Sequence, residues 1–349
     1  MPFEIDFLPV GDASRSGDSI ALRYGYGQLV PGQQTVVVID GGTQETGEAL
    51  VDHVRQVYGT NAVDYAILTH PDLDHVAGLK FVLEEMDVRV LFMHQPWRHA
   101  VEIRDMFAHP FSASRLAEKI RRALEAAHDL EQVALSRGVQ IVEPFAGVRT
   151  PEGALTFLGP TREYYQSLIC NFRETPQAKE GLASVLAIAK AAAQTAVRWV
   201  RESLTFETLD DSGETSAENN SSALTLFRWE NQQVLFTADA GIPALMLAAD
   251  TAHFTGVNLG ALNLLQVPHH GSRRNVGPTV LNRLHAPHAI ISVCKDGAPK
   301  HPSKKVINAL IRRGMNVYCT SGSLLNYSAG SSRYFSAAVA ESFNEYVEE

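Results

Sequence analysis

Apolar and polar positions alternate over residues 3–10 as along a half-buried strand, and a Gly/Ser/Asp turn follows at 11–18. Residues 19–24 and 35–40 predict two further strands joined through the Gly- and Pro-bearing 25–34, so the chain opens as a meander of β-hairpins. Residues 45–58 carry Ala49, Leu50, Val54 and Val57 at helical spacing and lead back to an apolar run at 64–69, a strand, helix, strand unit. Residues 76–85 predict an amphipathic helix that begins at His75, and 88–93 the next strand. A long Ala/Arg/Glu/Leu-rich helix is expected over 112–138, stopped by Gly138, and short strands at 139–142 and 155–158. A second alanine-rich helix is expected over 183–200, then a polar, acidic stretch from 207 to 220. Alternating strands return at 220–227 and 233–238, and a buried strand at 262–267.

The strand ends carry the chemistry. Directly after the 64–69 run, His70, Asp72, Asp74 and His75 fall within six residues. Carboxylates and imidazoles at that density repel one another or lose hydration unless a cation holds them, so a shared divalent metal is the economical explanation. A polar loop capping the next helix, with Asp72 or Asp74 as N-cap, explains only one aspartate. Asp40 closes an apolar β-branched strand before Gly41 and Gly42, glycines that let the backbone turn sharply and approach a neighbour closely. The segment around Asp239 repeats that design, and the 262–267 strand runs into Pro268, His269, His270, Gly271 and Ser272. Strands far apart in sequence thus deliver Asp or His at the same kind of end, where α/β sites form. On an extended segment His269 and His270 point opposite ways, so spacing alone leaves open which of them binds metal, with His269 favoured. His94 ends a strand in the same manner and could line the site.

The pattern His-x-Asp-x-Asp-His resembles the metal signature of the metallo-β-lactamase fold, commonly His-x-His-x-Asp-His, with Asp72 standing where the second histidine usually stands. With that departure, the Gly17–Asp18 turn, Asp40-Gly-Gly, the Asn-Asn-Ser-Ser strand from Asn219 through Asn220, Asp239, PHHGS and the later Lys300-His301-Pro302-Ser303 resemble the soluble hydrolase domain of ComEC-type DNA-uptake proteins. The resemblance spans most of the chain except its helix-rich parts and lacks the uptake proteins' membrane channel. It implies an α/β, αββα sandwich of two mixed sheets flanked by helices, one domain over 1–349 with helical insertions at 98–138 and 161–218, acting as a stand-alone hydrolase. It also implies two divalent metal ions, zinc or manganese, held by His70, Asp72, Asp74, His75, Asp239 and His269, with Asp239 bridging. Asp40 would brace a ligand, and Asp74 and His301 would be catalytic. The oxygen donor at Asp72 shifts preference away from strict zinc toward manganese.

Composition narrows the substrate. The 349 residues are 45% hydrophobic and 20% charged, an ordinary globular balance, and the net charge of −9 argues against nucleic-acid binding over the whole surface. From 269 to 314, however, nine basic residues face one acid, Asp296. Arg273 and Arg274 beside PHHGS, and Lys300, Lys304 and Lys305 around His301, lie where a phosphate-bearing substrate would need neutralising. Ser272, His270 and Asn220 are further candidates to support the site or touch substrate, Ser272 with the amides after Gly271 as donors to a phosphate oxygen. A metal pair would acidify a bound water to hydroxide and clamp an in-line displacement, so a phosphodiesterase or nuclease is expected. No aromatic residue lies between His269 and Val317 to stack bases, which keeps a small nucleotide in view. The rivals are a thioester or lactam hydrolase and a non-catalytic, metal-stabilised interaction module. Three scattered cysteines predict reduced thiols, and the lack of a long apolar run or leader predicts no membrane segment and a cytoplasmic protein. The alanine-rich insertions are expected to form a lid or a homo-oligomer contact.

Overall fold

The computed structural model describes residues 1–11, 16–176, 199–295, 301–331, 333 and 338–348. The N-terminal alternation forms the expected meander: β1 (Phe3–Phe7), β2 (Ser19–Tyr24) and β3 (Thr35–Gly41) pair antiparallel, with Ile5 opposite Leu22 and Ala21 opposite Val38. Helix α1 (Gln44–His53) then returns the chain to β4 (Ala62–Ile67), parallel to β3, and α2 (Leu73–Glu85) returns it to β5 (Asp87–Phe92), parallel to β4. The turn α3 (Ala100–Ile103) and helices α4 (Ala113–Ala123) and α5 (Glu125–Ser136) precede β6 (Gln140–Val142), which joins β5.

Strand β7 (Leu155–Gly159) starts a second sheet, and after α6 (Arg162–Ile169) comes the short β8 (Trp199–Arg201). One turn of helix, α7 (Ala217–Asn220), leads into β9 (Leu224–Trp229) and β10 (Gln232–Phe236), followed by α8 (Ile242–Phe254), β11 (Leu264–Gln266), α9 (Pro278–Leu281), β12 (His288–Ile291), α10 (Lys304–Arg312) and β13 (Asn316–Cys319). The second sheet runs β13-β12-β11-β10-β9-β7; β14 (Leu325–Ala329) crosses back to pair with β1, giving the first sheet the order β14-β1-β2-β3-β4-β5-β6. A separate ribbon joins β8 to β15 (Tyr346–Glu348).

Strand parity sorts the side chains into three apolar layers. In β3, Val37 and Ile39 point between the sheets while Val36 and Val38 point to the helices; in β10, Val234 and Phe236 point inward while Leu235 points out. Between the sheets, Phe92 meets Phe157 with ring centroids 4.9 Å apart. Leu50, Val54, Leu79, Val82 and Leu130 cover the first sheet; Leu245, Ala248, Val306 and Leu310 cover the second. The result is the expected αββα layering.

Several local expectations change. The helix foreseen over 112–138 is two, broken at Leu124 (φ −121°, ψ 46°). Most of the helix foreseen over 183–200 lies outside the described residues, and its last members, Trp199 and Val200, are strand. Helix α2 starts at Leu73, so His75 sits inside its first turn. Among the described residues, no helix is long and apolar enough to cross a membrane.

Candidate metal centre

The parallel strands of both sheets end at one edge, and the loops leaving them converge. Asp40 is the penultimate residue of β3; Leu68 to His70 follow β4; Thr237 to Asp239 follow β10; Val267 to His270 follow β11. The edges are stitched together by Ala223 N donating to Thr69 O (2.9 Å), His269 N to Ala238 O (2.9 Å) and Gln266 Nε2 to Asp18 Oδ2 (2.7 Å). Of the seven described non-glycine residues with positive φ, four are here: Asp40 (55°), Ala238 (47°), His269 (48°) and His270 (55°). A non-glycine residue pays steric cost in that region, and such strain gathers where a site demands a particular side-chain direction. The PHHGS segment is therefore a left-handed turn, not the extended piece expected, and this is why two adjacent imidazoles reach the same carboxylate.

That carboxylate is Asp239. Its Oδ2 lies 3.7 Å from His70 Nε2 and 3.5 Å from His269 Nε2, and its Oδ1 3.8 Å from both His75 Nε2 and His270 Nε2. Asp72 Oδ2 is 4.0 Å from His70 Nε2, and Asp74 has a carboxylate oxygen within 4.8 Å of ligand atoms of His75 and His270. Each ring is aimed through its other nitrogen. His75 Nδ1 lies 2.6 Å from Asp40 Oδ2, and Asp40 also accepts from Thr69 N (2.9 Å) and Thr69 Oγ1 (2.6 Å). His270 Nδ1 donates to Ser292 O at 2.9 Å, and His70 Nδ1 is 3.1 Å from Thr69 Oγ1. His269 Nδ1 lies 2.9 Å from Asn275 Oδ1 and 3.0 Å from Asn219 Nδ2.

The cluster fits a divalent metal. His70 Nε2, His75 Nε2, His270 Nε2 and Asp239 Oδ1 are buried polar atoms with no hydrogen-bond partner, all directed at one another. Lone pairs converging in a dry site are tolerable only around a cation. The protonation equilibria carry the same tension. Burial, then the imidazoles of His75, His269 and His270, hold His70 well below the usual histidine range, and burial with His269 and His75 does the same to His270. Burial opposes a proton on His75 too, but the Asp40 and Asp239 carboxylates outweigh it and raise that ring well above its usual range. Burial raises Asp239 as well.

The remaining expected residues divide. His301 stacks on His269, centroids 5.6 Å apart at 27°. Arg273 and Arg274 are exposed next to the cluster; Ser272 is buried, with Oγ accepting from Arg274 N at 3.2 Å. Asn220 is buried and donates to Ser216 O, whereas its neighbour Asn219 meets His269. His94 stacks on Tyr165 (4.2 Å) behind His70, its pKa pushed down to about 3 by burial, and forms no part of the cluster. Lys300 lies outside the described residues. Sequence reasoning named the Gly17–Asp18 turn but missed a site role for Asp18, whose carboxyl is pushed up to about 7 by burial and lies within 4.8 Å of ligand atoms of Asp239 and His270. It also missed Asn275, which ties His269 to Asp239 O (2.7 Å), and Arg173, which pairs with Asp72.

The family model of the metallo-β-lactamase superfamily matches residues 28–163. No curated protein matches the chain. Similar solved structures include a metallo-β-lactamase candidate from Thermotoga maritima, 10% identical, covering 68% of this chain and 79% of that one with a TM-score of 0.35. Another is a diphosphatase of the PhnP family, 11% identical over 94% and 98% of the two chains with a TM-score of 0.41. A third is a mutant of the β-hydroxylase CmlA, 11% identical with a TM-score of 0.44, where 94% of this chain spans about half, 53%, of that one. With residues 28–163 matching that superfamily's model and two mixed sheets packed face to face between helices, the chain has the metallo-β-lactamase fold.

Proposed function

We propose that the chain is a hydrolase that uses two divalent cations, manganese or zinc, to cut phosphoester bonds in a small or single-stranded substrate. The observation that carries this reading is the division of Asp239: His70 and His269 face one oxygen, His75 and His270 the other. One half would add Asp72 and the other Asp74. Divalent cations held there supply positive charge to a phosphoryl oxygen and acidify water.

The chain's own residues do the rest. Asp40 and Ser292 O fix which nitrogen of His75 and His270 carries the lone pair. In this reading His301, stacked beside His269, would hand a proton to the leaving oxygen, and Asp74, beside His75 and His270, would accept one on the attacking side. Arg273 and Arg274 add positive charge at the rim. The rest of the basic segment contributes less than its count suggests: Arg283 pairs with Asp250, Arg312 with Glu202 and Arg313 with Glu207, and Lys305 is buried. A cleft of about 700 Å³ opens beside Asp72 and Asp74, walled by Ala123 to Ala126 and bearing Glu125 and Glu174. That volume is of small-molecule size.

The test is cleavage of bis-p-nitrophenyl phosphate, single-stranded DNA, duplex DNA and RNA by metal-stripped protein with Mn²⁺ or Zn²⁺ restored, beside Asp74→Ala. Metal-dependent cleavage, reduced roughly 100-fold or more in the variant and favouring the small ester or single strand, is expected. Bound metal with no phosphoester cut, but a thioester or lactam opened, would overturn the substrate class.

A further inference from the structure

We infer that Arg173 is a positioning residue for the metal centre: anchored by Glu218, it holds the Asp72 carboxylate toward His70 and keeps it from capping its own helix. The inference rests on the metal reading of the cluster and deepens it. Asp72 occupies the N-cap position of α2, with extended backbone (φ −71°, ψ 147°), where an aspartate ordinarily turns its side chain back onto the free amides of the first turn. It makes no such bond. Instead Oδ1 accepts from Arg173 Nη2, and Oδ2 is left 4.0 Å from His70 Nε2, on the side of the cluster.

Arg173 is itself fixed. Its Nε donates to Glu218 Oε1 at 3.1 Å, and its backbone N donates to the same oxygen. Glu218 is only 1% exposed and lies in α7, directly before Asn219, the residue that meets His269. A continuous bridge, α7 to Glu218 to Arg173 to Asp72, therefore joins the wall of the cleft to the one ligand position where this chain carries a carboxylate in place of an imidazole. The planar guanidinium suits the task, since it can serve two carboxylates at a set angle and a single ammonium cannot. Its side chain is 64% exposed, and the pair it makes with Asp72, itself in contact with water, adds little to stability. Aiming Asp72 is the role left to it.

The experiment titrates metal-stripped wild-type, Arg173→Gln, Arg173→Lys and Glu218→Gln proteins with Co²⁺, followed by calorimetry and the visible absorption of the bound ion, with thermal melting of each metal-free protein alongside. Wild-type protein is expected to bind in two events. Arg173→Gln weakens one of them about 10–100-fold, the usual effect of removing a ligand's supporting partner, and leaves the other within about twofold, even where the buried Glu218, stripped of its cation, lowers the metal-free Tm. Arg173→Lys and Glu218→Gln fall between. Two events unchanged in Arg173→Gln, both weakened equally with a lower Tm, or tighter binding on loss of the cation would each overturn the inference. No Co²⁺ uptake by the wild-type protein would overturn the metal reading beneath it, and the inference with it.

Discussion

At the scale of single residues, the centre is built from side chains whose backbones are bent to serve it. Asp40 shows the cost and the use. With φ at 55° it sits in the left-handed region, wholly buried, and its two oxygens take three bonds, from Thr69 N, Thr69 Oγ1 and His75 Nδ1. Asp40→Asn keeps the shape and the bond from Thr69 N but puts an NH₂ where His75 Nδ1 and Thr69 Oγ1 now find an acceptor. His75 must then accept at Nδ1 and carry its proton on Nε2, pointed into the cluster. The expected outcome is metal affinity about 10–100-fold lower, read by calorimetric titration of metal-stripped protein, with far-ultraviolet circular dichroism unchanged. Asp40, Asp239 and the 70–75 cluster were legible in sequence because each ends a buried strand beside a glycine or within a dense ligand run. Asp18 opens a strand instead of closing one, and Asn275 and Arg173 act from loops, so neither position nor periodicity marks them. The choice of His269 over His270 assumed extended backbone, and the left-handed turn at φ 48° and 55° removes that assumption.

At the scale of elements, the centre depends on how closely α2 lies against the end of β3. A Cβ on Gly78 would stand 2.0 Å from Gly41 O, and one on Gly41 would stand 1.9 Å from Leu79 N. Both partners are backbone and cannot swing aside. Gly78→Ala must therefore lift α2 off the strand end, costing about 3 kcal/mol, the upper part of the range for overpacking, and carrying Asp74 and His75 away from Asp239. A lower urea midpoint together with weakened metal binding is expected; wild-type stability would show that the helix has slack the close contact denies. The glycines were legible as punctuation beside strands, but their contact joins residues 37 positions apart and has no local signature. Helix breaks were harder still. Leu124 is an ordinary helix former, yet it takes φ −121° and ψ 46° where α4 gives way to α5, and tertiary packing, not propensity, decides the break.

At the scale of the whole molecule, Asp6 of β1 pins the two ends of the chain together at one side of the first sheet. This carboxylate is wholly buried and accepts from His53 (2.9 Å), Tyr58 (2.8 Å), Asn326 (2.8 Å) and both terminal nitrogens of Arg333 (2.7 and 2.9 Å), so one side chain ties the first strand to α1 and to the returning C-terminal strand β14. Burial alone would raise its pKa, but the bonds and charges of His53 and Arg333 win and lower it to about 2. A carboxyl depressed in the folded state contributes stability above its unfolded pKa, near 3.8, and loses that contribution as pH falls through about 2. The shift corresponds to about 2 kcal/mol, with no discount for solvent at so buried a group. Asp6→Asn abolishes the titration while keeping a group that can still accept from Tyr58 or Asn326. The stability gap between wild-type and variant, from urea unfolding, is therefore expected to be widest above pH 4 and to narrow by about 2 kcal/mol by pH 2. A gap that stays constant across that window would mean that Asp6 holds the strands by shape alone and that the charge of Arg333 contributes nothing to joining β1 and β14.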